Sequence, residues 1–297
     1  MAFPLIPAGR LVGLSFGTMP SVRRGTGSDV AGSRPYRSGD DVHAIDWASS
    51  ARLSAARSSD EFIVREHYAE EAPRVVVVCD YRPSMAFFPA SLPWLSKWRA
   101  MRLAAELVVE SAVAARSFLG YLDVAEDEPL WCPPRSQRVP EELNLERTFT
   151  APPDALLRSI DHLKGHRKVL PAGSFVFILS DYLESADDVW LEALESRWDV
   201  VPVVIQDPVW EQSFPEVEGM VVKLVDPREG KVRAVRLRAS EVAERREVNE
   251  AKRAELLHRL RSLGLEPVLV SSHEPAEILD AFLEWSVWRE AARSRPW

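Results

Sequence analysis

Two stretches, Arg74-Val-Val-Val-Val-Cys-Asp80 and Ser174-Phe-Val-Phe-Ile-Leu-Ser-Asp181, decide the fold class. Each is a continuous apolar run that ends in an aspartate. Such runs are typical of central strands in a parallel sheet, because strands covered on both faces have no polar face to alternate with. The two stretches therefore predict a parallel sheet with an acid at the carboxyl end of two of its strands.

Helical and strand patterns alternate along the rest of the chain. Helices are predicted at about 94–116, 154–164, 187–197, 239–263 and 274–293, with Asp154 as a capping residue. Strands are predicted at 61–68, 118–124, 200–206 and 265–271, and a hairpin at 219–237 around the turn Asp226-Pro-Arg-Glu-Gly230. This order predicts an α/β, Rossmann-like fold with a mostly parallel sheet and helices on both faces.

The domain organisation follows from a change in composition near residue 73. Residues 1–73 are rich in Gly, Ser and Arg, and they predict a small β and irregular segment packed on a main domain of residues 74–297. A hairpin insertion is expected at about 208–240, and no strand is predicted in the Pro-rich stretch 129–140. Gly25-Thr-Gly27 lacks the preceding strand and following helix of a phosphate-binding loop, so it is predicted to be an ordinary loop.

Composition excludes several classes of function. The chain is 46% hydrophobic and 28% charged, which is ordinary for a globular protein, and its net charge of −8 argues against nucleic-acid binding. No apolar run approaches the roughly 18–20 residues that cross a bilayer, and Pro4 and Pro7 interrupt the apolar N-terminus. We therefore expect no membrane insertion and a cytoplasmic location. The two cysteines, Cys79 and Cys132, lack metal-ligand or redox spacing.

The first candidate site lies where the two decisive strands end. Asp80, Ser84 and Asp181 offer the oxygen ligands that Mg²⁺ prefers, and ligands of such sheets bind beyond the carboxyl ends of the strands. Arg82 carries only hydrogen-bond donors, cannot coordinate a metal and would repel one. We expect its guanidinium to lie between Asp80 and Asp181 in place of a metal. The alternative is that both aspartates simply cap helices or bind loops.

An enzymatic interpretation remains as an alternative. Mg²⁺-dependent phosphatases of the haloacid dehalogenase type also have a strand ending in Asp and a later strand ending in Ser or Thr, as Asp80 and Ser180 do here. Their mechanism needs a second Asp two residues after the nucleophile as general acid, and that position is Arg82. No other nucleophile stands at motif spacing with a histidine. We therefore expect a protein that is not an enzyme.

A second constellation precedes the first strand. It consists of Arg34, Tyr36, Gly39, Asp40, Asp41, Ile45, Asp46, Trp47 and Arg52. We expect three arginines to pair with the acids of this segment (Arg34, Arg37 and Arg52 with Asp40, Asp41 and Asp46). The apolar side chains of Tyr36, Ile45 and Trp47 should supply burial, and Gly39 should supply a positive φ in a turn. This pattern favours a segment that salt bridges attach to the main domain over a catalytic site, because His43 has no nucleophile at motif spacing.

The first constellation resembles the metal site of von Willebrand factor A-like domains. In those domains the first strand is followed by Asp-Xaa-Ser-Xaa-Ser, and Asp80, Ser84 and Met85 match that region, with Asp181 at the position of the second aspartate. The resemblance also implies a threonine ligand, for which Thr148 or Thr150 is the candidate. Arg82 departs from the pattern. The resemblance therefore implies a degenerate site, and Arg82 disfavours Mg²⁺ there.

Both constellations together resemble the bacterial family called domain of unknown function 58. The motif order Arg34-Pro-Tyr36, Gly39-Asp-Asp41, Ile45-Asp-Trp47 and Ala51-Arg52 carries the resemblance, and it is that of the short form without membrane helices. The resemblance implies a binding or adaptor protein whose partner is a MoxR-type AAA+ ATPase. Such a pair is expected to act in the assembly or maturation of a protein complex.

Overall fold

The structure is a computed structural model of the chain, and it describes residues 1–8, 14–57, 61–87, 95–126, 128–144, 146–183, 187–225 and 232–293. The helices are α1 (Trp47–Arg57), α2 (Lys97–Ala114), α3 (Ala155–Gly165), α4 (Asp187–Glu195), α5 (Ala239–Ser262) and α6 (Pro275–Arg293). The strands are β1 (Leu14–Pro35), β2 (Ile63–Ala72), β3 (Arg74–Cys79), β4 (Phe118–Glu126), β5 (Glu128–Ser136), β6 (Phe175–Ser180), β7 (Asp199–Ile205), β8 (Val221–Val225), β9 (Val232–Arg236) and β10 (Val268–Val270).

Six strands form the central sheet in the order β10-β7-β6-β3-β4-β5. Neighbouring strands are parallel except for β5, which runs antiparallel to β4. The predicted mostly parallel α/β fold is thus confirmed. The chain leaves β3 toward β4 on one side, whereas β6 lies on the other side, so the strand order reverses between β3 and β6. Ligand crevices in open α/β sheets form at this place.

Both faces of the sheet are covered, as the uninterrupted apolar runs predict. On one face Val75 and Val77 pack in a core with residues of α2 and α6. On the other face Val76 and Val78 pack with residues of α3 and α4. Successive residues of a strand point to opposite faces, so a strand that enters both cores must be apolar at every position.

The edge strand β5 corrects the prediction for the Pro-rich stretch. No strand was predicted there, yet Glu128–Ser136 pairs antiparallel with β4. Proline is tolerated in this strand because an edge strand need not donate all its amides to a neighbour. Its backbone also approaches closely: a Cβ at Gly120 would lie 2.8 Å from the Cys132 carbonyl oxygen, which requires glycine at that position of β4.

Two antiparallel pairs lie outside the central sheet. β1 pairs with β2, and this strand includes Gly25-Thr-Gly27, so the prediction of a loop there was wrong. The backbone of these glycines lies in a paired strand, a long-range interaction that local turn signals do not reveal. β8 pairs with β9, as the hairpin prediction requires, while the predicted turn at 226–230 lies outside the described residues.

The first residues of the chain belong to the main core. Phe3 is 3% exposed, and its ring stacks on Phe282 of α6 with centroids 4.5 Å apart. The Phe3 amide donates to the Ser111 hydroxyl of α2, and the Ala8 amide donates to the Asp199 carboxylate at the start of β7. The N-terminal segment thus lies across two helices and the sheet. Among the described helices, none is long and apolar enough to cross a membrane.

Candidate functional site

Asp80 and Arg82 form a buried ion pair directly after β3. The guanidinium donates to both carboxylate oxygens, from Nη2 to Oδ2 at 2.7 Å and from Nε to Oδ2 at 2.9 Å and Oδ1 at 3.1 Å. The Ser180 hydroxyl donates to Asp80 Oδ2 at 2.6 Å and accepts from Arg82 Nη2 at 3.0 Å. The two charged side chains are 0% and 8% exposed, so this pair is closed to solvent.

Asp181, after β6, is held by a cation that sequence reasoning missed. Lys97 Nζ lies 2.9 Å from Asp181 Oδ2 and 2.5 Å from Glu211 Oε1, and its side chain is 2% exposed. Arg82 Nη2 is farther away, 3.9 Å from Asp181 Oδ1. Arg82 therefore lies on the side of Asp80, and Lys97 is the closer counter-ion of Asp181.

The pKa values of this cluster follow from burial and charge. Burial by itself raises the Asp181 pKa, but Lys97, Arg82 and a hydrogen bond with Ser84 outweigh it, and the pKa is lowered. Burial likewise opposes charge on Lys97, yet Asp181 and Glu211 raise its pKa. Glu211 is the exception, because burial dominates and raises its pKa despite Lys97. Asp181 and Lys97 therefore remain an ion pair at neutral pH.

The candidate threonines lie beside β4 and not between the two aspartates. The Thr150 hydroxyl donates to the Ala125 carbonyl at 3.0 Å, and the hydroxyl oxygens of Thr148 and Thr150 are 3.1 Å apart. Within the described ranges, no three His, Cys, Asp or Glu side chains are grouped so that they could hold a metal ion.

A further buried carboxylate, besides Asp80 and Asp181, lies after the middle of β4. Asp123 is fully buried, and Arg147 Nη2 lies 2.9 Å from its Oδ1. The Tyr121 hydroxyl donates to Asp123 Oδ2 at 2.9 Å and lies 3.4 Å from the Tyr81 hydroxyl. Burial, with the nearby Cys79, raises the pKa of Tyr121 well above its ordinary range, so this phenol stays protonated. This end of the sheet therefore repeats the pattern of a buried acid with an arginine.

The segment from Arg34 to Arg52 forms only part of the predicted ion pairs. Arg34 donates to both oxygens of Asp40, at 2.6 Å and 2.7 Å, as predicted. Asp46 pairs instead with Arg65 of β2, whose Nε lies 2.8 Å from Asp46 Oδ2, so that pairing was missed. Arg52 is exposed and makes no ion pair in the described part of the chain. Arg65 lies in β2, outside the segment from Arg34 to Arg52, so spacing within the motif could not reveal this pair.

Local conformation in this segment is set by a turn and a cap. Gly39 has φ of +101°, and the Asp40 amide bonds the Arg37 carbonyl across the turn, so the predicted positive φ is confirmed. Asp46 precedes α1, and its carboxylate accepts from the amide and hydroxyl of Ser49 at 3.1 Å and 2.9 Å. An acceptor at this position satisfies a free first-turn amide. Helix α1 was not among the predicted helices, although this Asp-Trp-Ala-Ser pattern was an available signal for its start.

Trp47 was expected to be buried, but its side chain is 60% exposed, so that expectation was wrong. Its ring contacts Phe62 edge to face, with centroids 5.9 Å apart, and Phe62 contacts Tyr36 in the same way at 6.5 Å. Tyr36 and Ile45 are half-buried. The segment attaches to β2 by backbone bonds, from the Asp46 amide to the Ile63 carbonyl and from the Tyr36 amide to the Phe62 carbonyl, both 2.8 Å.

Fold and site together define a class of protein: a mixed α/β protein with a mostly parallel sheet, whose strand-end carboxylates are neutralised by buried arginine and lysine. The family described as Protein of unknown function DUF58 matches residues 32–256, and the chain belongs to this family. The membership that the motif order predicted is thereby confirmed. No curated protein matches the chain, and no solved structure matches it.

Proposed function

We propose that this chain is a non-enzymatic binding or adaptor protein built on a von Willebrand factor A-like domain with a degenerate metal site. The observation that carries the proposal is that Arg82 forms an ion pair with Asp80 and that Lys97 forms one with Asp181. Two fixed positive charges stand where a divalent cation would supply the same charge. A protein of this kind needs no metal to keep its strand ends neutral.

The sheet supports the von Willebrand factor A-like assignment. Its strand order places β3 and β6 side by side, so Asp80 and Asp181 follow adjacent parallel strands. Ser84 follows four residues after Asp80, in a short 3-10 turn that begins at Pro83. These are the relative positions that the resemblance assigns to two aspartates and a hydroxyl around one site.

The same geometry disfavours the phosphatase alternative. A nucleophilic Asp80 would need one oxygen free for attack and a neighbouring acid to protonate the leaving group. Here both oxygens of Asp80 accept hydrogen bonds from Arg82, and Oδ2 accepts another from Ser180. The carboxylate is buried, so a phosphomonoester cannot reach it without disrupting this ion pair.

The proposed partner is a MoxR-type AAA+ ATPase, with a cytoplasmic role in assembling or maturing a protein complex. This part of the proposal rests on the family resemblance. The direct test uses biolayer interferometry to measure binding of the purified chain to the MoxR-type ATPase of the same genome. The ATPase is kept in its ADP-bound state.

We expect saturable binding and no hydrolysis of p-nitrophenyl phosphate in the presence of Mg²⁺ by the chain alone. Adding Mg²⁺ to the immobilised chain before the ATPase should leave the affinity unchanged. Absence of binding would refute the partner, whereas Mg²⁺-dependent phosphatase turnover that Asp80→Asn abolishes would refute the non-enzymatic assignment.

A further inference from the structure

The hairpin formed by β8 and β9 has one face that nothing covers in the described part of the chain, where these two strands pair only with each other. Val222 lies opposite Val235, and both pack against a small core beneath the hairpin. Because side chains alternate along a strand, the remaining side chains point away from that core. We call them the outer face: Val221, Lys223, Val232, Ala234 and Arg236. All five are exposed, Val221 at 65% and Val232 at 60%.

The charges on the outer face are both positive. Arg236 lies opposite Val221 and Lys223 opposite Ala234, so the register places each cation beside an apolar side chain. The Arg236 Nε donates to the Gly219 carbonyl at 2.9 Å. Among the described residues, neither Lys223 nor Arg236 forms an ion pair with an acid. The outer face therefore carries two cations that remain available to a partner.

The sequence of the whole hairpin has the same sign of charge. Residues 219–237 contain five cations and two acids, although the chain as a whole carries −8. Glu218 and Arg238, which flank the hairpin, have opposite charges and cancel. The hairpin is thus a local basic region on an acidic protein, and its charge complements an acidic surface.

The small core beneath the hairpin holds the outer face in place. Its buried side chains come from the hairpin, the loop before it and α5: Phe214, Val217, Val222, Leu237 and Val242. The Gly219 amide donates to the Leu237 carbonyl at 3.0 Å and closes the base of the hairpin. Asn249 of α5 donates to the carbonyls of Trp210 and Ser213 at 3.0 Å and 2.6 Å, which fixes the loop on that helix. A preformed surface of this kind loses less conformational entropy on binding.

We infer that the outer face of the hairpin docks a protein partner whose surface presents acidic side chains beside apolar ones. This inference rests on the proposed binding function and names the surface that performs it. Acidic side chains complement Lys223 and Arg236, and apolar side chains remove Val221 and Val232 from water in the same contact. The strand-end cluster is a poor docking site by comparison, because its ion pairs are buried.

Other anionic ligands fit the outer face less well. Base stacking on single-stranded nucleic acid and insertion at a membrane surface both use aromatic side chains, and residues 219–237 contain none. Phosphate groups would pair with the two cations but would leave the exposed valines without an apolar contact. A protein surface satisfies both kinds of side chain.

The test uses the full chain and a dye-labelled peptide in which Glu and Val residues alternate. The comparison probes are the same peptide with Lys in place of Glu, a single-stranded DNA oligonucleotide, and vesicles of phosphatidylcholine and phosphatidylglycerol. Fluorescence anisotropy measures binding of the peptides and the oligonucleotide, and co-sedimentation measures binding of the vesicles. We expect the acidic peptide alone to bind, with weaker binding at high salt.

Arg236→Glu should raise the Kd of the acidic peptide at least about tenfold, because it places a like charge against the peptide. Arg233→Glu is the matched control: Arg233 is exposed in the same strand, but alternation places it on the side of Val235. This variant changes the net charge equally, and because salt screens a charge on the far side, it should change the Kd less than about threefold.

Val221→Ser tests the apolar part of the contact. It should raise the Kd about threefold or more, because less apolar area is buried. Val248→Ser is its control, since Val248 of α5 is 44% exposed and lies outside the hairpin. Circular dichroism checks that each variant is folded.

Four results would overturn the inference: equal binding of the Lys peptide, absence of acidic-peptide binding, equal effects of Arg236→Glu and Arg233→Glu, or no effect of Val221→Ser. Binding of the oligonucleotide or of the vesicles that Arg236→Glu abolishes would overturn it in favour of that ligand.

A second experiment separates this inference from the proposed function. If the MoxR-type ATPase binds the wild type and the Arg236→Glu variant equally, the inference is wrong and the adaptor function is unaffected. If the ATPase does not bind the wild type while the acidic peptide behaves as expected, the proposed partner is wrong and the docking surface is supported. Loss of ATPase binding in Arg236→Glu, with Arg233→Glu unaffected, supports both.

Discussion

Arg82 and Lys97 are the residues on which the character of the strand-end cluster depends. Each lies against a buried carboxylate, at 2.7 Å from Asp80 and 2.9 Å from Asp181 respectively. Burial of an isolated charge is costly, so each ion is retained only because its counter-ion and hydrogen bonds compensate for lost hydration. If one ion of such a pair is removed, the other stays buried without compensation, and the protein is destabilised by the full cost of burying that charge.

Arg82→Ser should destabilise the protein by about 3–5 kcal/mol, the usual cost of leaving a buried charge without its partner. Urea unfolding followed by circular dichroism measures this change. Arg102→Ser is the matched control: Arg102 pairs with Glu106 on the surface of α2 at 2.9 Å, with side chains 62% and 44% exposed. That variant should cost less than about 1 kcal/mol. Equal effects of the two substitutions would contradict the burial argument.

Removing both cations should create a site for a divalent ion. In the double variant Arg82→Ser, Lys97→Met, the two carboxylates lose their counter-ions, and the new serine adds a hydroxyl oxygen. Mg²⁺ that binds only the folded protein should then raise the melting temperature with concentration. The wild type should show no such shift. If Mg²⁺ does not raise the melting temperature of the double variant, the remaining oxygen atoms are not placed to bind one ion.

The turn at Gly39 and helix α1 belong to one segment that is attached to the start of β2 by backbone hydrogen bonds. The Arg34 guanidinium and the Arg37 amide lower the pKa of Asp40 to about 2. Hydrogen bonds from Ser49, together with Arg65, lower the pKa of Asp46 to about 2 as well. Both carboxyls thus bind protons less readily in the folded than in the unfolded chain. Their stabilising contribution is complete above the unfolded value of 3.8 and is lost as the pH falls toward 2.

Asp46→Asn should therefore flatten the acid part of the stability profile. In the wild type, the free energy of unfolding should fall as the pH decreases between about 4 and 2, partly because Asp46 must take up a proton. The asparagine variant has no such proton to bind, so its decrease should be smaller, although its stability at neutral pH is lower. Urea unfolding at stepped pH measures both curves. Parallel curves would show that Asp46 does not contribute to acid sensitivity.

At the scale of the whole molecule, the N-terminal residues connect elements that are distant in sequence. Phe3 lies between Phe177 of β6 and Phe282 and Trp285 of α6, with ring centroids within 4.5–6.3 Å. The Ser286 hydroxyl also donates to the Pro4 carbonyl. Residues at the very start of the chain are therefore part of the core beneath the helices.

Phe3→Ala should destabilise the whole protein by about 3–5 kcal/mol, because it leaves a cavity among aromatic rings. Phe62→Ala is the control, since Phe62 is 45% exposed and leaves no enclosed cavity. Thermal and urea unfolding should both show a single transition, shifted for Phe3→Ala and little changed for Phe62→Ala. A small effect of Phe3→Ala would mean that the N-terminal segment can detach without loss of core stability.

The sequence by itself determined the elements whose signals are local. Continuous apolar runs predicted β3 and β6 because strands covered on both faces have no polar position. The helices of the main domain were predicted to within a few residues, and the positive φ at Gly39 was predicted from the turn chemistry. The position of Asp80 and Asp181 at one edge of the sheet followed from the same patterns, since adjacent parallel strands end together.

Only the tertiary structure decided which groups meet across long distances in the chain. Lys97 reaches Asp181 over 84 residues of sequence, and no spacing rule connects them. A faint signal existed, because a lysine at the first residue of α2 opposes the helix dipole and calls for a compensating anion. The exposure of Trp47 and the pairing of β5 were likewise decided by the tertiary structure. Whether a side chain is buried, or a strand paired, depends on which parts of the chain the fold places next to it and not on the residue type alone.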